Sequence, residues 1–291
     1  MGAGAQRGGR WEVLAVWILL ASEALATTVT YARLPVGELY NVDRAGDLAA
    51  GLSRTLVLLC YPLALVALAL AALARAPRPL VAVAVGLCAL TAVPGVVDQS
   101  DLDARAVNAL PALGVALAAG LTAWAWRRGR FAVAPEPRGD AARVAIGVVL
   151  LVLSLPWLAA EWGFHFPGGV FLGEERPARD PGLAAVHLGF HHGYGGVVLA
   201  ASALLLSRVP AGRAVRAYLA LMLSYGLANA LQDGWNEQLW KREWVAWHAP
   251  DVLRPELSPA WLVVVAAAVA VYAFWFRPRE LVLKQHKRSL R

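Results

Sequence analysis

The sequence contains few charged residues and only two cysteines. Charged residues make up 16% of the 291 positions, against about a quarter in soluble domains, and apolar residues make up 59%. This composition excludes a soluble enzyme and a disordered chain. Cys60 and Cys88 both lie inside apolar runs. Two cysteines cannot form a disulfide framework, which excludes a small secreted disulfide-rich scaffold.

Several catalytic motifs are also missing from the sequence. It has no GxSxG nucleophile elbow, no P-loop and no CxxC of the thioredoxin type. No lysine lies inside an apolar run, where it could hold a retinal. The first half contains no histidine, since the first of the six is His165. Any histidine chemistry therefore belongs to the second half.

What the sequence has instead is a series of long apolar runs. A helix needs about 20 apolar residues to cross a bilayer core of ~30 Å. We predict an all-α, polytopic integral membrane protein with about eight transmembrane helices. The runs that have this length cover residues 11–30, 50–74, 79–98, 106–126, 143–162, 184–207, 214–234 and 258–276.

The distribution of Lys and Arg predicts the orientation of these spans. With the N-terminus cytoplasmic, the inner segments hold 18 of the 27 Lys and Arg residues, and the outer segments hold 15 of the 20 acids. The pattern predicts a multi-pass protein of the cell membrane with both termini cytoplasmic, in a bacterial plasma membrane if the arginine-rich composition reflects a GC-rich genome. An alternative for the N-terminus is a cleaved signal peptide, because Ala24-Leu25-Ala26 resembles a cleavage site. Cleavage would leave seven spans.

The spans divide into two sets of four. Asp47–Arg75 and Asp180–Arg208 have the same length, with Tyr61 and Tyr194 at matching positions. One interpretation is a duplication into two parallel four-helix halves, and the alternative is chance similarity between Ala- and Leu-rich helices. The corresponding division is residues 1–130 for the first half, 131–142 for a basic cytoplasmic linker, 143–276 for the second half with an outer-face polar site, and 277–291 for a basic cytoplasmic tail.

Four side chains in the second half have the spacing of metal ligands. Glu161 and His165 are four residues apart where the fifth span meets the outer surface, and His187 and His191 repeat this spacing in the sixth. Residues four apart share one face of a helix, and HxxxH is a spacing of helical zinc sites. We predict a divalent metal (Zn, Fe or Cu) held by these four residues. Solvated or hydrogen-bonded packing residues are the alternative.

A polar stripe follows the seventh span toward the outer face. It consists of Asn229, Asp233, Asn236 and Glu237, at steps that keep them on one side of a helix. Polar groups in a membrane span are expected to face protein, water or a ligand. Because metal-bound imidazoles usually donate their second N–H to a carboxylate, we predict that Asp233 and Glu237 orient the ligands or act in acid–base catalysis.

Glu23 lies inside the first span. It is 12 residues beyond Trp11, or ~18 Å along a helix, which is close to the bilayer midplane. An intramembrane acid is a functional hypothesis by default, and we predict a catalytic or proton-relay role for it. The alternative is a neutral acid hydrogen-bonded to a neighbouring helix.

These features favour one function over two others. The first is a metal-dependent enzyme at the extracytoplasmic face that acts on a membrane lipid or another lipophilic small molecule by hydrolysis or oxidation. The second is a transporter or ion-handling protein that uses Glu23 and the polar stripe, and the third is a non-catalytic membrane subunit or assembly factor. The basic segments are explained by topology and anionic lipid, so we expect no nucleic-acid partner.

Overall fold

The computed structural model describes residues 8–33, 48–97, 104–131, 139–161, 193–240, 243–253 and 255–277. Most of these residues are helical, the segment 243–253 is irregular, and the described ranges contain no β-strand. Their α-helices, in chain order, are α1 (Gly8–Arg33), α2 (Leu48–Cys60), α3 (Leu63–Leu73), α4 (Arg78–Ala89), α5 (Ala109–Arg127), α6 (Asp140–Glu161), α7 (Gly195–Leu206), α8 (Arg213–Trp235) and α9 (Pro259–Val271). Short 3₁₀ turns precede α5 and follow α4, and π-helical turns extend α8 and α9.

Several helices are long and apolar enough to cross a membrane. Within the described ranges, four qualify individually, and the bent pair of α2 and α3 is a fifth if it forms one span. Two further apolar helices are shorter, at Arg78–Ala92 and Gly195–Leu206. The chain is therefore a helical protein compatible with membrane insertion, whereas the count of eight spans and the division into halves stay predictions. The four single spans are Trp11–Arg33, Ala106–Arg127, Arg213–Trp235 and Pro259–Phe276.

A break divides the second apolar run into α2 and α3. The two helices meet at Tyr61 and Pro62 with a bend of 52°. Proline cannot donate to the carbonyl four residues earlier and its ring clashes with it, so the carbonyl of Leu58 accepts the N–H of Tyr61 instead, at 3.1 Å. The hydroxyl of Thr91 donates to the carbonyl of Cys60. The break is thus stabilised by a side chain from the turn after α4.

The helices α3 and α7 lie at the centre of the bundle. All residues of α7 except Leu205 are buried, as expected for a helix that is apolar on every side. It packs against α1, α3, α6 and α8, and α3 also packs against α4, α5 and α8. By contrast, α6 and α9 expose large apolar side chains such as Val152, Leu153 and Val263. An apolar exterior around a packed centre is what a bilayer environment requires.

Two glycines allow α7 and α8 to approach closely. A Cβ on Gly196 would lie 2.5 Å from the carbonyl oxygen of Gly226 and 2.7 Å from the backbone nitrogen of Ala230. A Cβ on Gly226 would lie 2.5 Å from the carbonyl oxygen of Gly196. Small residues at such a crossing let backbones pack in contact, as is common between membrane helices. The pair also defines the antiparallel register of the two helices.

Two arginines, one buried and one half-buried, connect the helix ends at one end of the bundle, where α6 and α8 begin and α7 ends. We call this the basic end. Arg143 is 2% exposed and donates to the carbonyl oxygens of Trp275 at 2.7 Å and Ser207 at 3.3 Å. Arg216 donates to the carbonyl of Phe276 at 3.0 Å. Cations thereby satisfy the last carbonyls of the C-terminal helix, which have no partner within the helix.

Arg208 adds two ion pairs at the basic end. Its Nε lies 2.8 Å from a carboxylate oxygen of Asp140, and its Nη1 lies 3.6 Å from one of Glu12. The three residues belong to the start of α6, the start of α1 and the turn after α7. The basic residues that predict orientation in the sequence therefore also hold three helices together.

Candidate functional site

Most of the predicted metal ligands lie outside the described residues. This applies to His165, His187 and His191, and to the side chain of Glu161, whose backbone ends α6. Among the residues that the structure does describe, no group of three or more His, Cys, Asp and Glu side chains could hold a metal ion. The metal site at the outer face stays a prediction.

The two acids predicted to support that site lie at the outer end of α8. Asp233 is 4% exposed, and Glu237 is half-buried in the π-helical turn that follows. Because Gly196 packs against Asn229 in the antiparallel pair, Asp233, one turn farther along α8, is level with the residues just before α7. A buried carboxylate thus lies near the point where the described chain resumes at Gly193, two residues after His191.

Asn236 of the polar stripe and two residues of α8 hold the segment at 243–253, whereas Asn229 donates to the carbonyl of Tyr225 within α8. Asn236 bonds both backbone groups of Ala249, donating to its carbonyl at 3.3 Å and accepting from its N–H at 2.8 Å. Gln232 accepts the N–H of Val252 at 3.1 Å, and the hydroxyl of Tyr225 donates to the carbonyl of Leu253 at 2.8 Å. These amide side chains anchor a loop against α8, a structural use that spacing alone did not indicate.

Glu23 is enclosed in the bundle. Its side chain is 0% exposed, and neither carboxyl oxygen has a hydrogen-bond partner among the described residues. Its helix has 26 residues, or about 39 Å, and Glu23 lies about 4 Å from the midpoint. The sequence-based expectation of an intramembrane acid therefore matches its place in α1, while the predicted alternative of a hydrogen bond to a neighbouring helix is not seen within the described ranges.

The helices around Glu23 can be placed from their contacts with α1. The hydroxyls of Thr28 and Thr55 lie 2.5 Å apart, where α1 and α2 cross. Since the helices are antiparallel, Glu23, five residues before Thr28, is level with the last turn of α2 and close to the break at Tyr61. On the other side, the pair of Glu12 and Arg208 sets the register of α1 and α7. Glu23 lies about three helical turns farther from the basic end than this pair and is therefore level with the first turn of α7.

Other buried polar side chains of the bundle also lack a hydrogen-bond partner among the described residues. Tyr61 is buried and its hydroxyl has no hydrogen-bond partner in the described part of the chain, and the hydroxyl of Thr27, one turn beyond Glu23, has none either. Buried polar groups in proteins nearly always have a partner, and exceptions indicate strain, a functional role or an unseen water or ion. We use the name unpartnered set for six of these groups, which lie on α1, α7 and α8 and at the break after α2: Glu23, Thr27, Tyr61, Ser202, Ser224 and the Oδ1 of Asn229.

The unpartnered set was only partly visible in the sequence. Glu23 stands out because acids are rare inside apolar runs, whereas Thr27 and the serines are common in membrane helices. Tyr61 is followed by Pro62 inside a long apolar run, and a proline there is a signal for a kink, but the match of Tyr61 with Tyr194 predicted only a repeat. Its position beside a helix break became evident from the structure.

The chemistry available to Glu23 follows from its surroundings. An ionised carboxylate without a partner is far more costly to bury than a neutral acid, so the packed bundle suits the protonated form. Loss of the proton would require water, a cation or a helix movement to compensate the charge. The break between α2 and α3 lies close to that level.

No protein-family model matches the chain, and no curated protein or solved structure matches it significantly.

Proposed function

We propose that this chain is an ion-handling membrane protein in which Glu23 takes up and releases a proton. The single observation that carries this proposal is the complete burial of Glu23 at mid-bundle, with neither carboxyl oxygen bonded to any described residue. A purely structural acid would be expected to donate to a neighbouring carbonyl or hydroxyl. A group that must bind and lose a proton is better served by a site without competing partners.

The break between α2 and α3 supports this function. Ion and substrate sites in transporters are typically formed near the bilayer midplane by discontinuous helices, whose interrupted backbone can bind a ligand. Here the break places the unpartnered hydroxyl of Tyr61 close to the level of Glu23. The hydroxyl of Thr27, one turn away on the same helix, extends the polar path toward the end of α1 opposite the basic end.

The topology we propose has eight spans, with both termini cytoplasmic in the cell membrane. Each of the eight apolar runs contains at least part of a helix in the described ranges. The basic end would then face the cytoplasm. A parallel duplication is supported by one likeness: Tyr61 and Tyr194 are both buried and precede α3 and α7, the two central helices.

Proton flux into liposomes tests the proposed function directly. The purified chain is reconstituted with a pH-sensitive dye inside the vesicles, and a potassium gradient with valinomycin sets the membrane potential. We expect wild-type protein to carry protons faster than empty vesicles, Glu23→Gln to lose this flux because an amide cannot titrate, and Glu23→Asp to retain part of it.

A matched control is Glu12→Gln, which changes the other buried acid of α1. Glu12 is ion-paired with Arg208, so its neutralisation should leave proton flux within about twofold of wild type if Glu23 alone is the proton site. Wild-type flux equal to that of empty vesicles, under potentials of either sign, would contradict the proposal. Equal flux in wild type and Glu23→Gln would do the same.

A second candidate function is the metal-dependent enzyme at the outer face, acting on a lipid or other lipophilic substrate. It is favoured by one observation, the buried Asp233 near the point where the chain enters α7. Glu161, His165, His187 and His191 would hold the metal. The metal would supply an activated water or a redox centre, and Asp233 and Glu237 would orient imidazoles or move protons.

Metal analysis separates this candidate from the first. The purified wild-type protein should carry close to one Zn, Fe or Cu per chain, and the double variant His187→Ala/His191→Ala should lose it. A suitable control is His248→Ala, a solvent-exposed histidine whose ring packs edge-on against Trp240 at 4.7 Å. Equal metal content in the wild type and the double variant would exclude the metal site whatever the outcome of the flux experiment.

A further inference from the structure

An apolar groove runs between α6 and α7 next to the basic end. It has a volume of about 170 Å³ and is lined by side chains from both helices and by two arginines. From Arg143 to Leu151 its α6 wall extends for about 12 Å, the length of a substantial part of a lipid acyl chain. Its apolar lining includes Val144, Gly147, Val148, Leu204 and Leu205.

Gly147 keeps the groove open. A Cβ at this position would meet no atom within 4 Å, so the glycine is not required for helix packing and instead leaves a gap in the groove wall. The neighbouring Val144 and Val148 are 44% and 54% exposed, which places this side of α6 toward the lipid. The groove is therefore accessible from the hydrocarbon region of a membrane.

Positive charge is concentrated where the groove reaches the basic end. Arg143 and Arg208 line it there, and the Nε of the deeply buried Arg143 has no hydrogen-bond partner among the described residues. Arg208 is paired with Glu12 and Asp140, and Arg143 interacts electrostatically with Asp140, Arg208 and Arg216. Among the described residues of this cluster, three arginines therefore meet two acids, and arginine binds phosphate oxygens through charge-assisted hydrogen bonds.

We propose that this groove binds one anionic phospholipid. Its acyl chain lies along Gly147 between α6 and α7, and its phosphate accepts hydrogen bonds from Arg143 and Arg208. The apolar length of the groove selects a lipid over a free phosphate ion, and the excess positive charge selects an anionic headgroup over a zwitterionic one. The site is separate from Glu23 and does not depend on the proposed proton transport.

Native mass spectrometry of the full chain tests the site. Protein purified in detergent is titrated with phosphatidylglycerol or with phosphatidylcholine, and the number of retained lipids is counted. We expect one phosphatidylglycerol to be retained at least tenfold more strongly than phosphatidylcholine. Gly147→Leu should abolish this preference because its side chain fills the groove. The matched control Gly120→Leu, at another glycine whose Cβ would meet no neighbour, should bind as wild type does.

A second blocking variant keeps the test decisive if Gly147→Leu does not fold. Val148→Trp alters a half-exposed lining residue and should lose the lipid as well. Equal retention of phosphatidylglycerol by the wild type and a folded blocking variant would overturn the proposal, as would equal retention of both lipids by the wild type. Inorganic phosphate is the third probe: if it displaces the bound lipid or raises the melting temperature as much as the lipid does, the occupant is a free anion and the proposal is wrong.

Discussion

The basic end and the middle of the bundle differ in whether their buried charged residues contact a group of opposite charge or a carbonyl oxygen. At the basic end, Arg143 donates to two carbonyl oxygens and Arg208 contacts two acids. In the middle, Glu23 and the hydroxyl of Tyr61 are buried without a partner among the described residues. Charges with satisfied partners hold a structure together, whereas unsatisfied groups cost stability. The paired charges therefore stabilise helix contacts at the basic end, whereas the unpartnered acid in the middle is the proposed proton site.

The largest expected change in stability concerns the crossing of α7 and α8 in the middle of the bundle, where the two backbones are in direct contact. Gly226→Ala would place a methyl group 2.5 Å from the carbonyl oxygen of Gly196, which cannot move without separating α7 from α8. We expect a loss of about 3 kcal/mol or more in the free energy of unfolding, measured by SDS titration of the purified protein. Gly120→Ala is the control, because its Cβ meets no neighbour and alanine favours a helix by up to about 1 kcal/mol. Similar stabilities for the two variants would show that the crossing is not tight.

The next effect tests the basic end. Arg143→Met keeps an unbranched side chain of similar length against Trp275 and Phe276 but removes the donors to the carbonyls of Trp275 and Ser207. We expect a loss of about 2 kcal/mol in the same SDS titration. Arg127→Met, at an exposed arginine, should change stability by less than about 0.5 kcal/mol. A loss for Arg143→Met no larger than for this control would mean that the arginine does not hold the C-terminal helix.

Replacing each of the two acids of α1 should change the stability of the protein by a smaller amount, with opposite signs at the two positions. Glu23→Met removes a buried acid without a partner and should stabilise the protein by about 1–2 kcal/mol. Glu12→Met leaves Arg208 with one acid fewer and should destabilise it by about 1 kcal/mol. Thermal unfolding in detergent measures both. If Glu23→Met destabilised the protein as Glu12→Met does, Glu23 would have a structural partner and the contrast between the two regions would fail.

The smallest expected change in stability comes from an ion pair at the basic end, and it should depend on salt concentration. The pair of Asp140 and Arg208 is 24% and 30% exposed, so Asp140→Asn should cost about 0.5–1 kcal/mol at low ionic strength. The cost should shrink in 1 M salt, where the Debye length falls to about 3 Å. The stability of Glu23→Met relative to wild type should not change with salt, because Glu23 has no charged partner to screen. A salt-independent cost for Asp140→Asn would indicate a hydrogen-bonding rather than an ionic contribution.

Helix positions were predictable to a useful extent because apolar runs report on them locally. The run at 214–234 corresponds to α8 at Arg213–Trp235, and the run at 106–126 to the helical stretch ending at Arg127. The break at Tyr61–Pro62 was not predicted, since proline is tolerated within membrane helices and composition does not show which proline bends its helix. The α-helix in the run at 79–98 ends at Ala89, short of the predicted span.

The candidate site was predictable in part. The isolation of Glu23 in an apolar run marked it as a functional candidate, but nothing in the sequence showed that its oxygens would lack partners. The stripe on α8 was predicted as a single polar surface, and the structure divides it. Asn236 holds the segment at 243–253, whereas Asn229 donates to a carbonyl within α8. Backbone groups brought in by a later loop compete for such side chains, and spacing along one helix cannot reveal them. The predicted ligands His165, His187 and His191 lie outside the described residues.

The sequence by itself determined that this chain is helical and apolar, with arginines gathered at one side of the predicted spans, because hydropathy and charge are properties of each segment alone. Only the tertiary structure determined whether each of the two acids on α1 has a partner. Glu12 and Glu23 are eleven residues apart, about three turns, and so occupy the same face of one helix. Glu12 is paired with Arg208, which follows α7, whereas Glu23 is paired with no described residue. The reason is that the partners of a buried acid come from helices that are distant in sequence. The register of those helices is set by close contacts such as that of Gly196 with Gly226.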